Sequence, residues 1–415
     1  MRHRRYRAIA LLLSGAALAA VSGAASAQNA CTYPASGTYA IQLTSDQVPG
    51  PAYQTRIVVL GWAEPASAIH QVMTIDTGST GIVISQKAVP PGVLAQAKTL
   101  RQILYTSSDD FLVGRDVTAA IQLPLVGGGT VQTNPIPMMA AACSCGVAKG
   151  TKPTKSMPTD VAALGNCANF NGAPSTQGDT GNSLQNCHET PPGVGMMGVG
   201  FDRGGQSSAT NAFLNLAPKG VHPGYVISKS GIQVGLTQGN TAGFKTLQLA
   251  KSQTLDSAAP TPNWVQPTGC VTLTAPGATA APAPLCGSTL VDTGIDYMFT
   301  TFPADVRPAG SVTPGAYPFD GSMRQIVTPG WSIRFTMTPP SATTPIVDYT
   351  LTAAQTPPAK AALAPVPVPV GSTVGVWATP QTPPGDINTG RRLLYAADYM
   401  FDAQCGLYGF RQPPQ

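Results

Sequence analysis

Charge is scarce in this chain. Only 10% of its 415 residues are Asp, Glu, Lys or Arg, where a soluble domain ordinarily carries about 25%. That shortage excludes a coiled coil, whose flanking positions are charged, and disfavours exposed helices laced with ion pairs. Histidine is rarer still, with four in the whole chain. None of His70, His188 and His222 lies at ligand spacing from another, so a zinc site has little to draw on. Beyond the N-terminus no segment approaches the roughly 20 apolar residues that a membrane-spanning helix needs. Glycine and proline, by contrast, are abundant at 44 and 40. Both break helices, and the composition predicts many short strands joined by turns. The length suits about two to three domains or one large all-β unit.

Residues 1–27 read as a secretory signal peptide. Arg2, Arg4, Arg5 and Arg7 precede an apolar run, and Ala25-Ser26-Ala27 is a small-residue cleavage site. The apolar run is too short for a membrane anchor. These four arginines are among the chain's 24 basic residues, so 20 remain against 19 acidic ones. No basic stripe is left for nucleic acid or an anionic membrane. The expected location is the periplasm or the extracellular space.

The eight cysteines at 31, 143, 145, 167, 187, 270, 286 and 405 fit an oxidised, exported protein with disulfides. Cys143-Ser144-Cys145 lacks the paired spacing of a zinc site. Cys270 and Cys286 flank one expected hairpin and are the natural pair, while the other connectivities stay open.

Strands are expected over 38–44, 53–61, on both sides of Asp76, and over 224–236. A short helix is expected over 93–104, a hairpin over 106–123, and a second helix over 207–216. Residues 146–192, rich in Gly, Asn, Ser and Thr, read as a stapled surface insertion. The alternating Pro365-Val366-Pro367-Val368-Pro369-Val370 reads as an edge strand or an extended linker.

One internal repeat carries chemistry. Met73-Thr74-Ile75-Asp76-Thr77-Gly78-Ser79 recurs as Thr289-Leu290-Val291-Asp292-Thr293-Gly294-Ile295. A single Asp-Thr-Gly is an ordinary strand-end turn. Two copies, each closing a strand-like stretch, point to two loops that face each other. The strand brings Asp to the floor of a cleft, Gly permits the tight turn, and the Thr hydroxyl can bond across to the other loop. Two carboxyls so close share one proton. One then serves as general base on a water and the other as general acid on a carbonyl.

On these residues the sequence resembles the pepsin-like aspartic peptidases, as an exported bacterial member. Residues 53–85 are similar to the family's opening strands and first catalytic loop. Tyr105, followed by Gly114-Arg115-Asp116, looks like the flap hairpin with its tyrosine. Gly195-Met196-Met197-Gly198-Val199-Gly200 looks like the strand crossing beneath the first aspartate. Residues 213–236, Asn263-Trp264-Val265 and 393–410 follow in the family's order.

The resemblance implies an all-β, bilobal double β-barrel with the cleft between lobes over 28–205 and 206–415. It implies Asp76 and Asp292 as catalytic residues, with Thr77, Gly78, Ser79, Thr293 and Gly294 in support and Tyr105 on the flap. It implies an aspartic endopeptidase acting as a monomer on a peptide or unfolded protein, with no metal or organic cofactor.

Four places depart from the family pattern. Ile295 replaces the hydroxyl residue expected after the second Asp-Thr-Gly. Val83 stands where many relatives carry a Trp that bonds the flap tyrosine. The flap carries Asp109-Asp110 in place of glycines, and the second crossing strand is reduced to Ile387-Asn388-Thr389-Gly390. Residues 28–52 are not expected to form an inhibitory prosegment. These departures motivate two alternatives. One is a pepsin-fold binding protein with weak or no activity. The other is an exported β-rich structural domain whose paired motif is coincidental. Met196 and Met197 are expected in the core, Asp109 and Asp110 at a solvated hairpin tip, Asp296 in a loop and His188 on the surface.

Overall fold

The computed structural model describes residues 31–44, 53–62, 69–105, 108–176, 179–203, 207–253, 259–295, 298–316, 323–340, 342–353 and 385–412. The expected signal peptide, the Pro-Val run and Asp296 lie outside them. Residues 33–415 fall within one compact unit, to which everything below refers. Among the described residues no helix is long and apolar enough to cross a membrane.

The chain is all-β and bilobal, as expected. In the first lobe, Gln54–Leu60 alternates buried and half-exposed residues, as a half-buried strand should. It pairs antiparallel with both Ile69–Asp76 and Asp110–Pro124. Gly195–Val199 follows on the far side of Ile69–Asp76, then Thr80–Ser85, then Ile136–Lys149. Ile136–Lys149 also pairs with Asp110–Pro124, so six strands close into a ring with no free edge. Inward-facing Ile57, Met73, Ile75, Ile82, Ile84, Ile121 and Met138 fill it.

The second lobe carries a six-stranded sheet. Its order is Phe299–Thr300, Asp386–Asn388, Leu285–Leu290, Thr268–Thr274, Ser332–Met337, Val347–Thr352. Val312–Ala316 and Met323–Val327 form a separate hairpin.

A third sheet joins the two ends of the chain. Tyr39–Ile41 pairs with Gly231–Leu236, which pairs with His222–Ser228, then Asp398–Asp402, Leu407–Arg411 and Lys245–Gln248. It presents Tyr225, Tyr399, Phe401, Tyr408 and Phe410 to the core, all fully buried.

Three local expectations are corrected. The helix expected over 93–104 is a single turn-and-a-half, Pro91–Gln96, opened by Pro91 at its first position. Leu100–Tyr105 is instead a strand, and it pairs with Asp110–Pro124. The hairpin therefore begins earlier than the expected 106–123. The helix expected over 207–216 breaks into two 3-10 turns, Ser208–Thr210 and Ala212–Leu214. The reason is the polar side chains. Ser207 and Asn211 cap backbone N–H groups, and the Asn215 amide bonds the carbonyls of Ser208 and Asn211, each at 2.8 Å.

Residues 146–192 are more than a surface insertion. Asn182–Glu189 pairs with Ile136–Lys149, and Phe170 and Leu184 pack into a small core with Phe111 and Val113. Disulfides Cys143–Cys167 and Cys145–Cys187 pin this segment to the sheet. The expected Cys270–Cys286 bond is present across paired strands. No free cysteine occurs among the described residues.

Candidate active site

Both Asp-Thr-Gly motifs are built the same way. Ile69–Asp76 buries Met73 and Ile75 completely and ends at Asp76. The chain turns through Thr77, Gly78 and Ser79 and returns as Thr80–Ser85. Gly195–Val199 slots between these two strands, parallel to the first and antiparallel to the second, with Gly198 opposite Asp76. A Cβ on Gly198 would lie 2.6 Å from the Thr80 nitrogen, so no other residue fits there.

In the second lobe Leu285–Leu290 leads into Asp292. Asp386–Asn388 lies parallel to it, with Phe299–Thr300 on the far side. Ile387 and Asn388 thus lie parallel to the strand before Asp292 as Gly195–Val199 lies parallel to the strand of Asp76.

The two loops meet. Thr77 Oγ1 donates to the Val291 carbonyl at 2.5 Å, and Thr293 Oγ1 donates to the Ile75 carbonyl at 2.8 Å. Each threonine N–H donates to the other's hydroxyl oxygen at 3.0 Å. Every partner is buried. This clasp holds Asp76 and Asp292 side by side with 5% and 3% exposure, burial that ordinarily demands full pairing of a carboxyl.

The pairing is there. Gly78 N–H donates to Asp76 Oδ1 at 2.6 Å, and Ser79 Oγ donates to Oδ2 at 2.5 Å. Gly294 N–H donates to Asp292 Oδ1 at 2.8 Å, and the Asn388 amide donates to Oδ2 at 2.7 Å. The proton affinity of Asp292 is raised well above the usual carboxylate range. Burial is the largest cause, followed by the charge of Asp76 and a carboxyl–carboxyl hydrogen bond with it. The Asn388 amide and the Gly294 N–H oppose that rise. Such a pair retains one proton between two acids and can take a proton from one group while giving one to another.

The glycines of both loops are sterically required. A Cβ on Gly78 would overlap the Asp292 carboxyl, and one on Gly294 would lie 2.6 Å from Asp76 Oδ1. Behind the first loop, Arg203 Nε donates to the Gly78 carbonyl at 2.9 Å. The Tyr225 hydroxyl donates to the Val199 carbonyl at 2.7 Å, tying the bridging sheet to the crossing strand.

Tyr105 ends its strand beside this centre. It packs against a small buried cluster of Val83, Leu112, Met139 and Ala141. Burial raises the Tyr105 phenol's proton affinity, and the charge of Asp76 adds to that rise. Met197 is fully buried in the main core, while Met196 is only half-buried against the Tyr105 cluster. The hairpin tip is not merely solvated, because Asp109 pairs with Lys149 at 2.8 Å. His188 is exposed, as expected.

Asn388 is the site residue that sequence reasoning missed as a partner of Asp292. Its one signal was its place in the segment mirroring Gly195–Val199.

No protein-family model matches the chain. No curated protein matches it in sequence. Among solved structures, the chain is similar to the crystal structure of the aspartic proteinase from Irpex lacteus, at a TM-score of 0.45 and 12% identity, over 91% of this chain and 97% of that one.

Proposed function

We propose that this protein is an aspartic endopeptidase with Asp76 and Asp292 as its catalytic pair. The observation that carries the reading is the juxtaposition itself. Two buried carboxyls lie within hydrogen-bond reach, and one of them strongly favours its proton. Asp292, holding that proton, gives it to the scissile carbonyl oxygen. Asp76 takes a proton from a water held between the two, and the water oxygen adds to the carbonyl carbon. The tetrahedral intermediate collapses as Asp76 passes the proton it took to the leaving nitrogen, the C–N bond breaks, and a hydroxyl of the intermediate returns its proton to Asp292 as the acid product forms. The Thr77–Thr293 clasp and the four donors to the carboxylates fix these groups before substrate arrives, which is where most of the rate gain in such sites originates.

The substrate class follows from the surroundings. Tyr105 and its apolar neighbours lie near the carboxyls beside the tip of a hairpin, which suits an extended peptide lying across the site. The near-neutral charge balance beyond residue 27 supports neither nucleic acid nor an anionic membrane as partner. The oxidised cysteines support an exported protein, periplasmic or secreted. Each lobe supplies one carboxyl, so a monomer holds a complete site.

A peptide carrying a secondary alcohol in place of the scissile carbonyl tests the reading by calorimetry. It should bind the wild type far more tightly than the parent peptide does, because it mimics the tetrahedral intermediate. Asp292→Ala should abolish that preference. Equal, weak binding of both peptides by the wild type would favour the binding-protein alternative.

A further inference from the structure

The two carboxyls are supported unequally. The outer oxygen of Asp76 meets the hydroxyl of Ser79, three residues on. The matching position after Asp292 is Ile295, which offers no polar group. The outer oxygen of Asp292 instead meets the amide of Asn388, 96 residues away in the chain.

The Asn388 side chain has a decided orientation. The Gly390 N–H donates to Asn388 Oδ1 at 2.9 Å, so the NH2 end must face Asp292. Gly390 has φ 57° and ψ −173°, a combination open essentially only to glycine. The backbone therefore bends at Gly390 in a way that aims Asn388. Both side-chain ends of this 4%-exposed residue are satisfied.

An amide NH2 donates and cannot accept. A hydroxyl can do either. Asp76 Oδ2 faces a hydroxyl and so can be the donor or the acceptor. Asp292 Oδ2 faces an amide that only donates, and Oδ1 receives the Gly294 N–H, so both of these partners favour the charged carboxylate.

We propose that Asn388 is a positioning residue for the reaction, which takes over from the missing hydroxyl at Ile295 and fixes the orientation of the Asp292 carboxyl. This rests on the peptidase reading of the Asp76–Asp292 pair. The amide thereby makes the two acids unlike: Asp76 Oδ2 meets a hydroxyl that can donate or accept, whereas Asp292 Oδ2 meets a group that only donates. The ionisable group acting on Asp292 is Asp76. Asp386, on the strand of Asn388, is exposed and bonded to Thr301. Arg391 donates its backbone N–H to the Ile295 carbonyl, and its charge acts on Tyr53.

The test follows the titration of Asp292 by carbon-13 NMR of carboxyl-labelled aspartate, beside the pH profile of kcat and KM. Asn388→Leu removes the donor at similar volume. Asn388→Asp keeps the acceptor for Gly390 and the shape, which serves if the leucine variant does not fold. Both should move the Asp292 titration and the alkaline limb of kcat upward. In both, kcat should fall by roughly tenfold or more with KM little changed. Adding Ile295→Ser to Asn388→Leu should bring the titration back toward the wild type. An unmoved titration in a folded Asn388 variant would overturn the proposal, as would a double variant that does not recover. A wild type that titrates as described but cleaves nothing would refute the peptidase reading while leaving the Asn388–Asp292 coupling measured.

Discussion

Thr77 and Thr293 are locked together by exchange. The backbone N–H of each donates to the hydroxyl oxygen of the other at 3.0 Å, and each hydroxyl donates onward into the opposite loop. The clasp is the hinge point of the whole site, because each aspartate immediately precedes one of these threonines. Thr77→Val strands two buried partners, at about 1–3 kcal/mol each. It should lower unfolding stability by about 2–6 kcal/mol and remove activity. Thr77→Ser keeps the hydroxyl and should lose about 1 kcal/mol. Thr77→Val and Thr293→Val strand different backbone groups, two each, so the double variant should cost about the sum of the singles. Chemical denaturation of the four variants checks this.

Gly78 touches the opposite carboxyl. A methyl there overlaps Asp292, which has to move. Gly78→Ala should reduce kcat/KM by about a hundredfold or more, since small displacements of reacting groups cost that much. Gly92→Ala meets nothing within 4 Å and should behave as the wild type in the same assay.

The raised proton affinity of Asp292 has a stability consequence of definite sign. The folded state holds this proton more tightly than the unfolded chain does. Stability from Asp292 is therefore fully present below its ordinary carboxyl range and is lost as pH rises through its raised folded value. Asp76→Asn removes the charge that is the second cause of the rise. Ser79 can reverse its hydrogen bond to suit the new amide, so the substitution strands no partner. Thermal melts between acid and neutral pH should show a smaller fall for Asp76→Asn than for the wild type. An equal fall would mean that burial alone sets the Asp292 titration.

The Tyr105 hairpin is anchored along its length. Asp110–Pro124 pairs with Ile136–Lys149 from Asp110 opposite Gly146 onward. Cys145, beside that tip, is tied to Cys187 across a sequence separation of 42. Replacing both cysteines with serine should cost up to about 4 kcal/mol in the chain-entropy view. It should also loosen the hairpin, seen as faster proteolytic nicking near residues 106–109 and a raised KM.

Local motifs were legible in the sequence, and long-range replacements were not. Asp76-Thr77-Gly78 and Asp292-Thr293-Gly294 carry their turn chemistry within three residues, so their strand-end position and pairing could be read directly. Cys270–Cys286 was legible for the same reason, since one hairpin brings the pair together. The role of Asn388 was not, because its segment was legible as a reduced crossing strand but the contact with Asp292 spans 96 residues and leaves no local pattern. Leu100–Leu104 read as the end of a helix, in which Leu, Arg and Gln are at home, and pairing with Asp110–Pro124 overrode that weak preference. Residues 207–216 failed for the opposite reason, as their serines and asparagines bind the backbone instead of leaving it to an α-helix.

The most direct measurement is cleavage of an unfolded protein by purified residues 28–415, scanned from about pH 3 to about pH 7, the range in which a proton-sharing carboxyl pair titrates. Asp76→Ala and Asp292→Ala run beside it, with folding and oxidised cysteines verified in all three. The account expects cleavage by the wild type with an acid optimum, and none by either variant. A folded wild type that cleaves nothing at any pH, or activity that survives loss of either aspartate, would contradict it.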